Sequence, residues 1–195
     1  PARVRLALRL LKAFLRWGNE VFNKLNGMFA FAVWSPKTQT LTLARDRFGV
    51  KPCYFVHRDG QLAFASNTTA LARFFSLSNN YEYLAHGLIY NLYEDGDGSS
   101  PFEEIQSLPP GCFLEFKKEQ LKIHRYYDLR VAVEIERERI KSFSDEQILT
   151  KLEERLRYAV QLRLRADVPV TISLSGGLDS ALLASLSRVE LRNEL

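Results

Sequence analysis

The sequence predicts an α+β fold of antiparallel hairpins packed by helices, followed by the start of an α/β nucleotide-binding domain. Three observations predict it. Over residues 26–127, short aromatic and β-branched runs alternate with Gly, Pro, Asn and Asp turn signals, as in a hairpin-built sheet. A charge-rich stretch around residues 134–139 then interrupts the apolar pattern. Finally, the apolar run 168–174 passes through Ser175-Gly176-Gly177-Leu178-Asp179-Ser180 into an apolar helical pattern, the order of strand, glycine turn and helix that builds an anion site.

The elements follow in order. Residues 3–17 read as a helix: Val4, Leu8, Leu11 and Leu15 recur at helical spacing, Arg5, Arg9, Lys12 and Arg16 share another face, and Gly18-Asn19 ends it. Such a basic amphipathic helix can lie on a membrane or serve as a targeting peptide, but a surface helix that snorkels its charges is the favoured reading. Residues 26–34 are apolar on both faces, which predicts a central strand. Ser35-Pro36-Lys37 turns the chain, and residues 40–46 alternate as an antiparallel partner. A second hairpin spans 53–57 and 62–66 around Arg58-Asp59-Gly60-Gln61. Helices are expected from Asn67 over 68–75 and over 81–88. Residues 94–101 form the most loop-like stretch; its acidic-glycine content falls short of a Ca²⁺ loop, which needs a terminal bidentate Glu. Residues 102–106 turn towards Leu108-Pro109-Pro110-Gly111, and a last hairpin spans 112–116 and 121–127. Ser144-Asp145-Glu146-Gln147 is a capping box; Ile148, Leu149, Leu152, Leu156, Ala159 and Val160 continue one helical stripe, closed by Arg163 and Arg165. The expected organisation is a first domain over 1–127, a linker over 128–141, and the start of a second domain over 142–195.

The second domain carries the chemistry. Residues 168–174 have the composition of a buried strand, the two glycines free the backbone, and Asp179 and Ser180 suit the first turn of the following helix. The alternative is a tight αβ turn with a capping Asp. A Walker-type loop would end in Gly-Lys-Ser/Thr, which is absent.

The Ser175-Gly176-Gly177-Leu178-Asp179-Ser180 order resembles the PP-loop of ATP pyrophosphatases. The resemblance implies that Ser175, Gly176, Gly177 and Ser180 contact the pyrophosphate of ATP, that Leu174 lies beside the nucleotide, and that Asp179 helps hold Mg²⁺. Residues 27–34 and Ala44-Arg45-Asp46-Arg47-Phe48-Gly49-Val50-Lys51-Pro52 resemble the later half of class II glutamine amidotransferase domains, and most of all the glutamine-hydrolysing asparagine synthetases. Leu108-Pro109-Pro110-Gly111 and Ala166-Asp167-Val168-Pro169-Val170 fit that family in the same order. The resemblance implies a partial four-layer αββα sandwich ahead of the PP-loop domain. It implies a ligase using glutamine, aspartate and ATP, in which aspartate is activated as β-aspartyl-AMP and ammonia displaces AMP to give asparagine. It leaves room for a homodimer. Relatives that adenylate other carboxylates, including β-lactam synthetases, and a truncated non-catalytic paralogue are the alternatives. One departure stands out: after Ala65-Ser66 the family usually has Glu, where this chain has Asn67.

The family's nucleophile is an N-terminal Cys, and its glutamine-binding segments precede the residues seen here. No catalytic residue can therefore be named, the sequence reads as a fragment cut at both ends, and the fragment itself is expected to be inactive as a glutaminase. Cys53 and Cys112 lie in expected strands and read as small core residues; His57, His86 and His124 show no triad or metal spacing. The Arg45-Asp46 pair reads as architecture, because buried charges need partners. With 46% hydrophobic residues and a net charge of +4, the chain can fill a core and does not call for nucleic acid. No run is long enough to span a bilayer, and two cysteines make no disulfide framework, so the cytoplasm is the expected compartment. The second domain, with a strand and two helices, is expected to be poorly ordered or aggregation-prone.

Overall fold

The computed structural model describes residues 2–91, 98–166 and 168–193, in two units, Pro1–Ala132 and Val133–Leu195. Of the loop 94–101, positions 94–97 lie outside the described residues, as does Asp167.

The first unit is built from two antiparallel sheets. One has the order β1-β2-β6-β7, from Ala30–Ser35, Thr40–Arg45, Cys112–Lys117 and Gln120–Arg125; the other has the order β4-β3-β5, from Gln61–Ala65, Tyr54–Arg58 and Gln106–Ser107. Side-chain alternation sorts their residues into layers. Leu43, Cys112 and Leu114 of the first sheet meet Phe55 of the second, with Cys53 and Leu108 that flank its strands, in one buried cluster. The opposite face of the first sheet, Ala44 and Phe113, packs on Val21 and Phe22 of α2 (Val21–Lys24), with Phe14 of α1 (Ala2–Trp17) against them. On the far side, Val56 packs on Leu71 and Ala72 of α3 (Thr68–Phe75). The order of layers is helix, sheet, sheet, helix, the partial αββα sandwich that the resemblance implied. Two hairpins close through turns with both residues at positive φ: Asp59 and Gly60, and Lys118 and Glu119. Asn67 takes the N-cap of α3, its Oδ1 accepting from the Thr69 N–H at 2.7 Å. Asn80 does the same for α4 (Tyr81–Tyr90) through Tyr83.

Three expectations need correction. The strand expected over 26–34 begins only at Ala30, and it is an edge of its sheet rather than central. Both faces of that sheet are covered, by the other sheet and by helices, so double coverage produced the two-faced apolar pattern. In α1 the stripe picked out by spacing points to water: Leu8, Leu11 and Leu15 are 52%, 42% and 76% exposed, while Ala13 and Phe14 pack inward. Helical spacing identifies a stripe but not the side on which the core lies. Residues 168–174 do not form a buried strand; Val168, Val170, Ile172 and Leu174 are exposed, and none is paired in a sheet among the described residues. A parallel strand takes its hydrogen bonds and its cover from neighbouring strands, and β-branched composition supplies neither.

The second unit contains the end of α5 (Leu129–Ile140), then α6 (Asp145–Leu164) and α7 (Leu178–Asn193). The charge-rich run expected as linker is thus largely helical, laced on its exposed face by Glu136–Arg139 and Glu138–Lys141 pairs. Ser144 and Gln147 form both halves of the capping box that opens α6. α6 and α7 pack together, burying Val160, Leu186, Ser187 and Glu190.

Candidate functional site

The chemistry-bearing residues read from the sequence converge at the start of α7. Gly176 sits at φ +82°, a conformation that costs glycine little, and a Cβ built there would meet nothing within 4 Å. This bend places the Ser175 and Ser180 hydroxyl oxygens 3.1 Å apart in a hydrogen bond, and the Ser180 hydroxyl donates to the Gly177 carbonyl at 3.0 Å. The Ala181 N–H bonds the same carbonyl at 3.2 Å, so the helix starts here. The first backbone N–H groups of a helix lack intrahelical acceptors and lie at the positive end of its dipole. Asp179 is exposed in that first turn, and Leu174, 64% exposed, immediately precedes the loop. Two hydroxyls, an unobstructed glycine bend and a set of amide donors therefore share one accessible place. That donor set fits a phosphate group. Among the described residues no cluster of three or more His, Cys, Asp or Glu side chains forms a metal cage. A divalent ion here would be held by the Asp179 carboxylate together with phosphate oxygens, the manner in which Mg²⁺ is usually bound.

A polar network that the sequence reading did not single out lies on the same helix. Glu190 is 5% exposed, with its Oε1 accepting from Arg157 Nη1 at 3.3 Å and its Oε2 accepting from Gln161 Nε2 at 2.5 Å. Arg157 also donates through Nε and Nη2 to Glu153 Oε1 at 3.0 and 2.8 Å. The carboxylates of Glu153 and Glu190 hold the guanidinium pKa above its ordinary value. The signal was present in the sequence: Glu190 falls in helical phase with Leu183 and Leu186, a charge on an apolar stripe.

In the first unit, Arg45 and Asp46 are 2% and 1% exposed. The Asp46 carboxylate accepts four backbone N–H bonds, Oδ1 from Phe48 and Val50 and Oδ2 from Phe29 and Lys51, at 2.9 to 3.2 Å. Arg45 donates to the carbonyls of Lys51, Gly49 and Leu108 and to the Ser107 hydroxyl. The Tyr126 hydroxyl closes the network on the Arg45 carbonyl at 2.7 Å. Burial, then the Asp46 charge, pushes the Tyr126 pKa upward, so the hydroxyl stays a donor. This is the partnering expected of buried charges. Cys53 and Cys112 are buried, and desolvation raises both thiol pKa values, with the Arg45 and Arg125 charges opposing the rise. A nucleophilic cysteine needs the opposite environment.

Residues 9–127 match the glutamine amidotransferase domain, which is the first unit almost in full, and residues 151–195 match the asparagine synthase family. The chain belongs to the glutamine amidotransferase domain family. Asparagine synthetase [glutamine-hydrolyzing] 3 of Bacillus subtilis is 32% identical over 179 residues, covering 91% of this chain and 28% of that protein. Amidase chry2 of Gibberella zeae is 30% identical over 178 residues, covering 91% and 26%. Amidase chyE of Penicillium rubens is 29% identical over 178 residues, covering 91% and 25%. The chain thus spans under a third of the length of these relatives. No helix among the described residues is long and apolar enough to cross a membrane.

Proposed function

We propose that the loop 174–180 binds the pyrophosphate portion of ATP in a glutamine-dependent ligase that makes asparagine from aspartate. The observation that carries this reading is the loop's geometry: the Ser175 and Ser180 hydroxyls converge across the open Gly176-Gly177 bend at the N-terminus of α7. The match of residues 151–195 to the asparagine synthase family supports it. In this role Ser175 and Ser180 donate to phosphate oxygens, Gly176 and Gly177 let the backbone approach them, and Leu174 borders the nucleotide. Asp179 holds Mg²⁺, whose charge offsets that of the phosphates. ATP supplies the adenylyl group that activates the aspartate side-chain carboxylate as β-aspartyl-AMP, and ammonia from glutamine displaces AMP. The loop's own contribution is to fix the phosphates and to aim donors at the departing pyrophosphate.

The test is isotopic. With the chain in its complete reading frame, aspartate labelled with ¹⁸O in the side-chain carboxylate delivers one ¹⁸O to AMP as asparagine forms. Unlabelled AMP during asparagine synthesis would sink the adenylate route. Labelled AMP from a different carboxylic acid, with aspartate inert, would keep the loop's role and replace the substrate; two amidases among the relatives make that comparison part of the same experiment.

A further inference from the structure

We infer that Glu190 is a positioning residue for the phosphate loop, acting through Arg157 and Gln161 to fix the axis and register of α7 against α6. The inference rests on the ATP reading of the loop. Among the described residues, the bonds of Glu190 to Arg157 and Gln161 are those by which side chains tie α7 to α6. Val160 and Leu186 are also buried on these two helices, but apolar contact is non-directional and tolerates sliding or rotation. A carboxylate at 5% exposure does not: displacing it by one helical turn leaves a buried charge without partners. Arg157 is itself held in place, because Glu153 one turn earlier takes two of its nitrogens. The pair therefore selects one register out of several that the apolar contacts would permit.

The selected register matters at the other end of the helix. Leu178 opens α7, and at 1.5 Å per residue Glu190 lies about 18 Å further along its axis. A tilt of about 5° that released the Glu190 end would move the loop by about 1.5 Å. Displacements of about 1 Å at a reacting group cost up to about a hundredfold in rate. Residues 174–179 are exposed, Ser180 is partly buried, and the loop is tied mainly to itself through Ser175–Ser180 and Ser180–Gly177, so its placement depends on the helix that carries it.

The experiment is carried out on the complete reading frame. ATP–pyrophosphate exchange is measured for the parent, Glu190→Gln, Arg157→Met and the double variant, with KM determined separately for ATP and for the carboxylate substrate. Each single variant is expected to raise the KM for ATP roughly five- to tenfold, with the double no worse than the worse single. The KM for the carboxylate should stay unchanged. Arg157→Lys, which keeps the charge but loses the planar fork, should recover part of the loss, and it serves as the readout if Glu190→Gln does not fold. Equal rises in both KM values, or independent additive effects of the two variants, would assign the pair to general stability and overturn the inference. So would an unchanged ATP KM in well-folded variants. Absence of exchange in the parent is a different failure: it overturns the ATP reading itself.

Discussion

Replacing Asp46 by Asn tests the buried carboxylate most severely, because the change removes a charge while keeping the shape. Oδ1 accepts from Phe48 and Val50, and Oδ2 from Phe29 and Lys51. An amide keeps one oxygen, so whichever way it flips, two backbone donors face an NH₂ group. Each buried donor left without an acceptor costs about 1–3 kcal/mol, giving about 2–6 kcal/mol for Asp46→Asn. Against a typical total of about 5–15 kcal/mol that is a large fraction, and Asp46→Ala, which strands all four donors, should be worse. Trp17 and Trp34 both belong to the first unit, so urea unfolding followed by tryptophan fluorescence reports on it directly. Amide exchange at Phe29, Phe48, Val50 and Lys51 should accelerate in the same variant. Asp59→Asn, at an exposed turn, is the control and should stay within about 0.5 kcal/mol. Stability unchanged in Asp46→Asn, with undiminished protection of those four amides, would refute the account of this loop.

Two glycines give opposite expectations. Gly49→Ala would place a Cβ 2.9 Å from Pro110 Cγ and 3.0 Å from Arg45 Cζ at φ +65°, so thermal unfolding should show a loss beyond the roughly 1 kcal/mol of left-handed strain. Gly176→Ala meets no neighbour and should cost only that strain in stability, its larger effect falling on ATP affinity. Phe22→Ala, fully buried between α1 and the sheet, should lose about 3–5 kcal/mol, whereas Leu15→Ser on the outer side of α1 should stay within about 0.5 kcal/mol in the same denaturation assay. For the cysteines, burial raises both thiols above their ordinary 9.0, so the unfolded chain releases those protons first as pH rises. Their contribution is fully present below pH 9, and declines as pH climbs from there through the raised folded values. Labelling of Cys53 and Cys112 by a thiolate-seeking reagent at pH 8 should therefore require unfolding.

Much of this was legible in the sequence because it rests on local chemistry. The hairpins at Asp59-Gly60 and Lys118-Glu119, the Asn67 start of α3 and the Ser144–Gln147 box are decided by a few neighbouring residues. The bend at Gly176, the Ser175–Ser180 contact and the helix start at Leu178 are local in the same way, because those residues are contiguous. What composition could not supply was the identity of each element's neighbours. Residues 30–35 look central because both faces of their sheet are covered, yet they pair only with β2 among the described residues. The leucines of α1 have correct helical spacing and the wrong side. Residues 168–174 have strand composition but pair with no strand among the described residues. Glu190 stands out locally as a charge on an apolar stripe, but its partners required knowing that α6 lies against α7, because the contact between residues 157 and 190 is not encoded by any local pattern.

Carboxylate-dependent ATP–pyrophosphate exchange asks whether the loop opening α7 holds the pyrophosphate of ATP, as we propose. With the chain in its complete reading frame, aspartate-dependent exchange is expected in the parent and is expected to be lost in Asp179→Ala, with the variant folded as the parent is. Exchange that persists undiminished in folded Asp179→Ala, or a folded parent that exchanges with no carboxylate at all, would contradict it.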